Sequence, residues 1–121
     1  MKFMTLIHET QRPHAEPPAE LYVAMGAMQA REVAAGTLLE VGGLLPIEAG
    51  AIVTLTGGAV TTTDGPFVEA TELVGGYAVY EVPDVATAVD KSRSFLQLHV
   101  DTWPGWEGWV EVRPLFEAPE A

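Results

Sequence analysis

Residues 51–67 read AIVTLTGGAVTTTDGPF, and the folding of this stretch decides the architecture. Two runs rich in Val, Ile and Thr, residues 51–56 and 59–63, flank Gly57-Gly58. Such runs separated by two glycines predict a tight hairpin. The favoured two-residue turns need positive φ, which glycine reaches without steric cost. The hairpin runs into Asp64-Gly65-Pro66-Phe67. Glycine accepts positive φ and a residue before proline is pushed out of the helical region, so a sharp turn follows. That turn either presents the Asp64 carboxylate at the mouth of a sheet or merely uses it as a cap.

Each side of the hairpin repeats one pattern. Upstream, residues 3–8 read as a strand and residues 10–18 as a Pro-rich loop. From Ala19, the positions Leu21, Ala24, Met25, Met28 and Ala35 follow helical spacing, and Gly36 ends the helix. Met25 and Met28 read as core filling. Residues 37–41 form a second strand. Downstream, Gly75-Gly76 opens a strand over 77–82, which Pro83 ends. Asp84 caps a helix over 85–100, whose apolar face is Val85, Ala88, Val89, Ser92, Leu96 and Val100 with Phe95 at its edge. After a loop holding Trp103 and Trp106, residues 109–113 form the last strand. The order is β-α-β, hairpin, β-α-β. It predicts a single α+β domain over 1–121, ferredoxin-like, with an antiparallel sheet and both helices on one face. Phe3, Ile52, Val79 and Val112 alternate along the strands, so part of the second face is expected to be apolar. A second copy covering that face makes a homodimer.

The chain has 121 residues, with 17 acidic against 6 basic and a formal charge of −11. That balance repels phosphate backbones and anionic lipid, so nucleic acid and membrane surfaces are not expected partners. There is no cysteine, which excludes disulfides, thiol nucleophiles and zinc-thiolate sites. The start, Met1-Lys2-Phe3-Met4-Thr5-Leu6-Ile7-His8-Glu9, is too short an apolar run for a signal peptide or a span. A soluble cytoplasmic protein is the expectation.

Several runs together resemble the YCII-related proteins of the DGPF branch. They are Met1-Lys2-Phe3-Met4, Ala34-Ala35-Gly36-Thr37-Leu38-Leu39, Thr63-Asp64-Gly65-Pro66-Phe67, Glu69-Ala70-Thr71-Glu72-Leu73, Gly75-Gly76-Tyr77 and Val110-Glu111-Val112-Arg113-Pro114-Leu115. The resemblance covers nearly the whole chain in order. It implies a bacterial domain that dimerises sheet to sheet as a dimeric α+β barrel, with a pocket between sheet and helices. It also implies a rival role, a non-catalytic companion of an alternative sigma factor. In other branches a His-Asp pair is the proposed catalytic element. Here Gly43-Leu44-Leu45-Pro46 has Leu45 where the family pattern often has His, and Thr71 stands where it often has Lys. Both departures weaken the case for an enzyme, which the sequence leaves open.

The best carboxylate cluster is Asp64, Glu69 and Glu72. If these converge, repulsion raises one pKa and makes a general acid or a cation site; if not, they are a solvated loop. Asp64 and Glu72 are the candidate catalytic pair. His8, Glu69, Trp103, Trp106 and Arg113 are the candidate ligand-binding residues, with the Trp-rich loop walling a pocket or packing an interface. Arg113 either binds an anion or pairs with Glu111. His99, near a helix end, reads as a partner of the helix dipole. No His spacing suits zinc, and no motif calls for a cofactor. The function these residues suggest is binding of a small, partly aromatic molecule, with acid/base chemistry at Asp64 as its catalytic extension.

Overall fold

The chain enters a strand almost at once. In the computed structural model, which describes residues 1–9, 16–64 and 73–117, β1 spans Lys2–Glu9. Phe3 and Thr5 are buried on one face, and Met4 and Leu6 point to the other, as strand alternation requires. Helix α1 (Ala19–Ala34) follows Pro18, which stands just outside the helix in an extended conformation and accepts the Leu21 N–H at 3.0 Å. Glu20 in its first turn and Arg31 in its last complement the helix dipole.

Strand β2 (Leu38–Gly43) leads through a short helical turn, Ile47–Ala49, into β3 (Ala51–Thr56) and β4 (Ala59–Asp64). These two pair only with each other, as a separate two-stranded sheet. Gly57 and Gly58 between them have φ of 57° and 79°, the left-handed pair that a tight hairpin turn demands. Strand β5 (Leu73–Glu81) runs through Gly75-Gly76 rather than starting after it. A register shift opposite Ile7/His8 absorbs the extra residue, as in a bulge.

Helix α2 (Val85–Thr102) begins at Asp84, whose carboxylate accepts from the Thr87 N–H at 2.8 Å and the Thr87 hydroxyl at 2.6 Å. Strand β6 (Gly108–Pro114) closes the domain. The main sheet has the order β2-β5-β1-β6, antiparallel throughout. Each β-α-β unit is thus split by a strand of the other, which is the ferredoxin-like arrangement.

Phe3, Leu38, Ala78, Tyr80, Val82 and Ala88 form the core under the helices, with Val112 packed against it. Two expectations change here. Phe3 and Val112 belong to this covered core and Ile52 to the separate hairpin, so of the four expected residues Val79 alone lies on the face away from the helices, beside Met4 and Leu6. The buried stripe of α2 is Ala88, Ser92 and His99, while Val85, Val89 and Val100 are exposed. Among the described residues, no helix is long and apolar enough to cross a membrane.

Candidate functional site

The core fills only one end of the space between sheet and helices. The rest is a cavity of about 460 Å³. Its origin is legible residue by residue. The sheet floor there is paved by Gly42 and Gly43 of β2 and Gly75, Gly76 and Ala78 of β5, so few side chains rise from it. Thr5, Ile7 and Glu9 of β1 and Val110 of β6 complete that floor. The roof is α1, through Leu21, Tyr22, Met25, Met28 and Gln29, and α2, through Ser92, Phe95 and His99. Met28 is buried, as the core reading expects, and Met25 is half-buried, and both also wall the cavity. Methionine suits that task, since its flexible thioether adapts to irregular surfaces.

Polar groups gather at the two ends. At the core end lie Glu32, Tyr80 and Ser92. Lys91 Nζ donates to Glu32 Oε1 at 2.8 Å, and the Thr37 hydroxyl lies against the other oxygen of that carboxylate. Burial pushes the Glu32 carboxyl up, but the bonds from Lys91 and Thr37 and the Lys91 charge outweigh it and hold Glu32 below its ordinary value. Burial, and then the Glu32 charge, raise the Tyr80 phenol. Among the described residues nothing hydrogen-bonds the Tyr80 hydroxyl. Ser92 Oγ donates back to the Ala88 carbonyl at 3.0 Å, which leaves its lone pairs available as acceptors.

The other end is aromatic. Phe95, His99, Trp106 and Trp103 form a continuous row, with successive ring centroids 4.9, 4.3 and 6.3 Å apart. Trp106 Nε1–H donates to Glu9 Oε2 at 3.2 Å. Gly108 makes this packing possible, because a Cβ there would run into the His8 carbonyl and the Trp106 ring. His99 is 6 % exposed. Its Nδ1 lies 3.1 Å from the Phe95 carbonyl, and a carbonyl only accepts, so Nδ1 carries the proton. Burial lowers the His99 pKa, against smaller opposing effects of that bond and of the Glu9 charge. A helix-dipole partner would shift the other way. His99 is thus a neutral imidazole in a cavity wall, and the ring's Nε2 has no hydrogen-bond partner among the described residues. His99 and Trp106 also border a second, more open hollow with Leu96, Glu107 and Trp109.

The remaining candidates lie elsewhere. His8 is buried on the opposite face of the sheet, stacked parallel on Trp109 at 5.0 Å, and its Nε2–H donates to Glu111 Oε1 at 3.0 Å. Arg113, also on that face, pairs with Glu111 at 3.4 Å. Trp103 and Trp106 face the cavity. Asp64 ends β4, but its carboxylate, like Glu69, Glu72 and the Gly65-Pro66-Phe67 turn, is outside the described residues. Among the described residues no group of His, Asp and Glu is placed to hold a metal ion. Glu9, Tyr22 and Tyr80 were not among the sequence candidates, and His99 was assigned to the helix dipole rather than to a cavity wall. For His99 the available signal was its place seven residues after Ser92 on one helical stripe.

Fold and site together define a ferredoxin-like α+β domain with a ligand-sized cavity between its sheet and its helices. The YCII-related domain model matches residues 1–95, and the chain belongs to that family. No curated protein matches it.

Proposed function

We propose that this protein binds a small, mostly apolar aromatic molecule in the cavity between sheet and helices, and does so as a homodimer. One observation carries the reading: a space of about 460 Å³ whose wall is mostly apolar, aromatic and methionine-rich, with a small number of polar groups among its lining. Its size lies within the range of small-molecule sites, and apolar walls with few convergent polar groups are their usual chemistry. A closed void that large would cost on the order of 10 kcal/mol, comparable to the stability of an entire domain. The space is therefore a solvent-filled site rather than a packing defect, and a ligand gains by displacing its water.

The sequence run Thr63-Asp64-Gly65-Pro66-Phe67 supports placing the chain in the DGPF branch of the family. The half-buried Met4 and Leu6 and the exposed Trp109, on the face away from the helices, support the dimer. Catalysis at Asp64 is a further step, in which its carboxylate joins the chemistry of a bound ligand.

A thermal-shift screen of aromatic metabolites tests the binding reading. A ligand at 100 times its Kd stabilises by about 2.7 kcal/mol. Ser92→Leu sends a leucine side chain into the cavity and is the control. Hits that shift the native protein and leave Ser92→Leu unmoved support the reading. A screen without hits, or hits that shift both proteins equally, contradicts it.

A further inference from the structure

Among the described residues, two buried groups that line the cavity, of opposite character, have no hydrogen-bond partner: His99 Nε2 and the Tyr80 hydroxyl. At the aromatic end, the His99 Nδ1–H is committed to the Phe95 carbonyl, so the neutral ring keeps an acceptor lone pair on Nε2. At the core end, the Tyr80 hydroxyl is an O–H donor that no described residue accepts. Ser92, beside the Tyr80 end, and His99 are seven residues apart on α2, about 10 Å along its axis. The cavity walls include Met25, Met28, Phe95 and Ile7, which offer apolar contact.

We propose that His99 and Tyr80 determine the ligand's specificity: the cavity takes an elongated two-ring aromatic that bears a hydroxyl at one end, donated to His99 Nε2, and a carbonyl oxygen at the other, accepting from Tyr80. This deepens the cavity reading above and rests on it. The fixed tautomer is what gives the selection its direction. A methyl ether in place of the ligand hydroxyl has no proton to donate and sets an oxygen lone pair against the Nε2 lone pair. A buried acceptor left without its donor loses a hydrogen bond and gains a desolvation cost. Sites built to pair a substrate hydroxyl reject the analogue lacking it for this reason.

Isothermal titration of the 121-residue chain at neutral pH tests the proposal with three probes: a naphthol bearing an acetyl group on its far ring, the methyl ether of that compound, and unsubstituted naphthol. The acetylnaphthol is expected to bind roughly tenfold or more tightly than its ether. His99→Phe, which keeps the aromatic row, is expected to erase that ratio while the ether binds as before. Tyr80→Phe is expected to reduce the acetylnaphthol to the affinity of the naphthol. Equal binding of acetylnaphthol and ether to the native chain overturns the proposal without need of any variant, and leaves the cavity reading standing. A ratio that survives His99→Phe also overturns it. If none of the three probes binds, the cavity reading falls together with it.

Discussion

The indole N–H of Trp106 donates to the carboxylate of Glu9 across 3.2 Å, tying the loop before β6 to the last residue of β1. This bond, with His99 packed on the Trp106 ring, holds the aromatic end of the cavity in place. It depends on Gly108, where even one methyl group meets the Trp106 ring and the His8 carbonyl. Gly108→Ala should therefore push Trp106 outward and destabilise the protein by about 1–3 kcal/mol, as overpacking does. Denaturant melts and the tryptophan emission maximum measure both effects. Unchanged stability with unchanged emission would contradict this packing.

Stability should also respond to pH through His99. Its pKa is lowered in the folded state, chiefly by burial. The unfolded chain, at an ordinary value of about 6.5, thus takes up the proton first. The contribution of neutral His99 is complete above pH ~6.5 and is lost as pH falls from there through the folded-state value. The Phe95 carbonyl and the Glu9 charge favour its protonation but are outweighed by burial, and Glu107 of the adjoining loop borders the same hollow as the ring. Melting temperature should decline between pH ~6.5 and ~5, above the range where carboxylates dominate. His99→Phe should flatten that decline. A slope as steep in His99→Phe as in the native protein would place its origin elsewhere.

Much of the fold is legible in the sequence because it is written in backbone chemistry. Gly57-Gly58 demands a hairpin, Asp84 a helix start and Pro83 a strand end, and none of these depends on what packs where. The site is harder to read because apolar periodicity assumes a filled core. That assumption put Val85, Val89 and Val100 on the inner face of α2 beside Ala88 and Ser92, yet the three valines are exposed, while His99, assigned elsewhere, turns inward with Ser92. A cavity wall tolerates polar groups that a packed core would reject. Glycines at 42, 43, 75 and 76 look like turn markers, but in the structure they are the floor that leaves the space open. The DGPF turn, the clearest motif in the chain, lies outside the described residues and adds no geometry to the site.

Asp84 offers a local check on the reading of α2. Its carboxyl is held below its ordinary value, first by the Thr87 hydroxyl and then by the Thr87 N–H. Asn caps nearly as well as Asp, whereas Ala cannot accept these bonds. Asp84→Asn should melt close to the native protein and Asp84→Ala measurably below it, with lower helical circular dichroism. Equal melting of Asp84→Ala and the native protein would show the cap to be dispensable.

The dimer can be tested at the face away from the helices. Trp109 is 41 % exposed there and stacks on His8. A stable interface should bury more than about 1,000 Å². Light scattering at micromolar concentration should give twice the chain mass, and Trp109→Glu should shift it toward one. A native protein that scatters as a single chain contradicts the dimer.

The central claim is that the cavity receives an aromatic molecule between Trp103, Trp106 and the two methionines of α1. The chain has three tryptophans, so Trp109→Phe leaves only the two at the cavity as reporters. Titrating naphthol into Trp109→Phe while following tryptophan emission tests the claim most directly. The predicted result is a saturable change in emission that Ser92→Leu, added to the same background, abolishes. An emission that drifts linearly without saturation, or saturates identically with leucine at position 92, would contradict it.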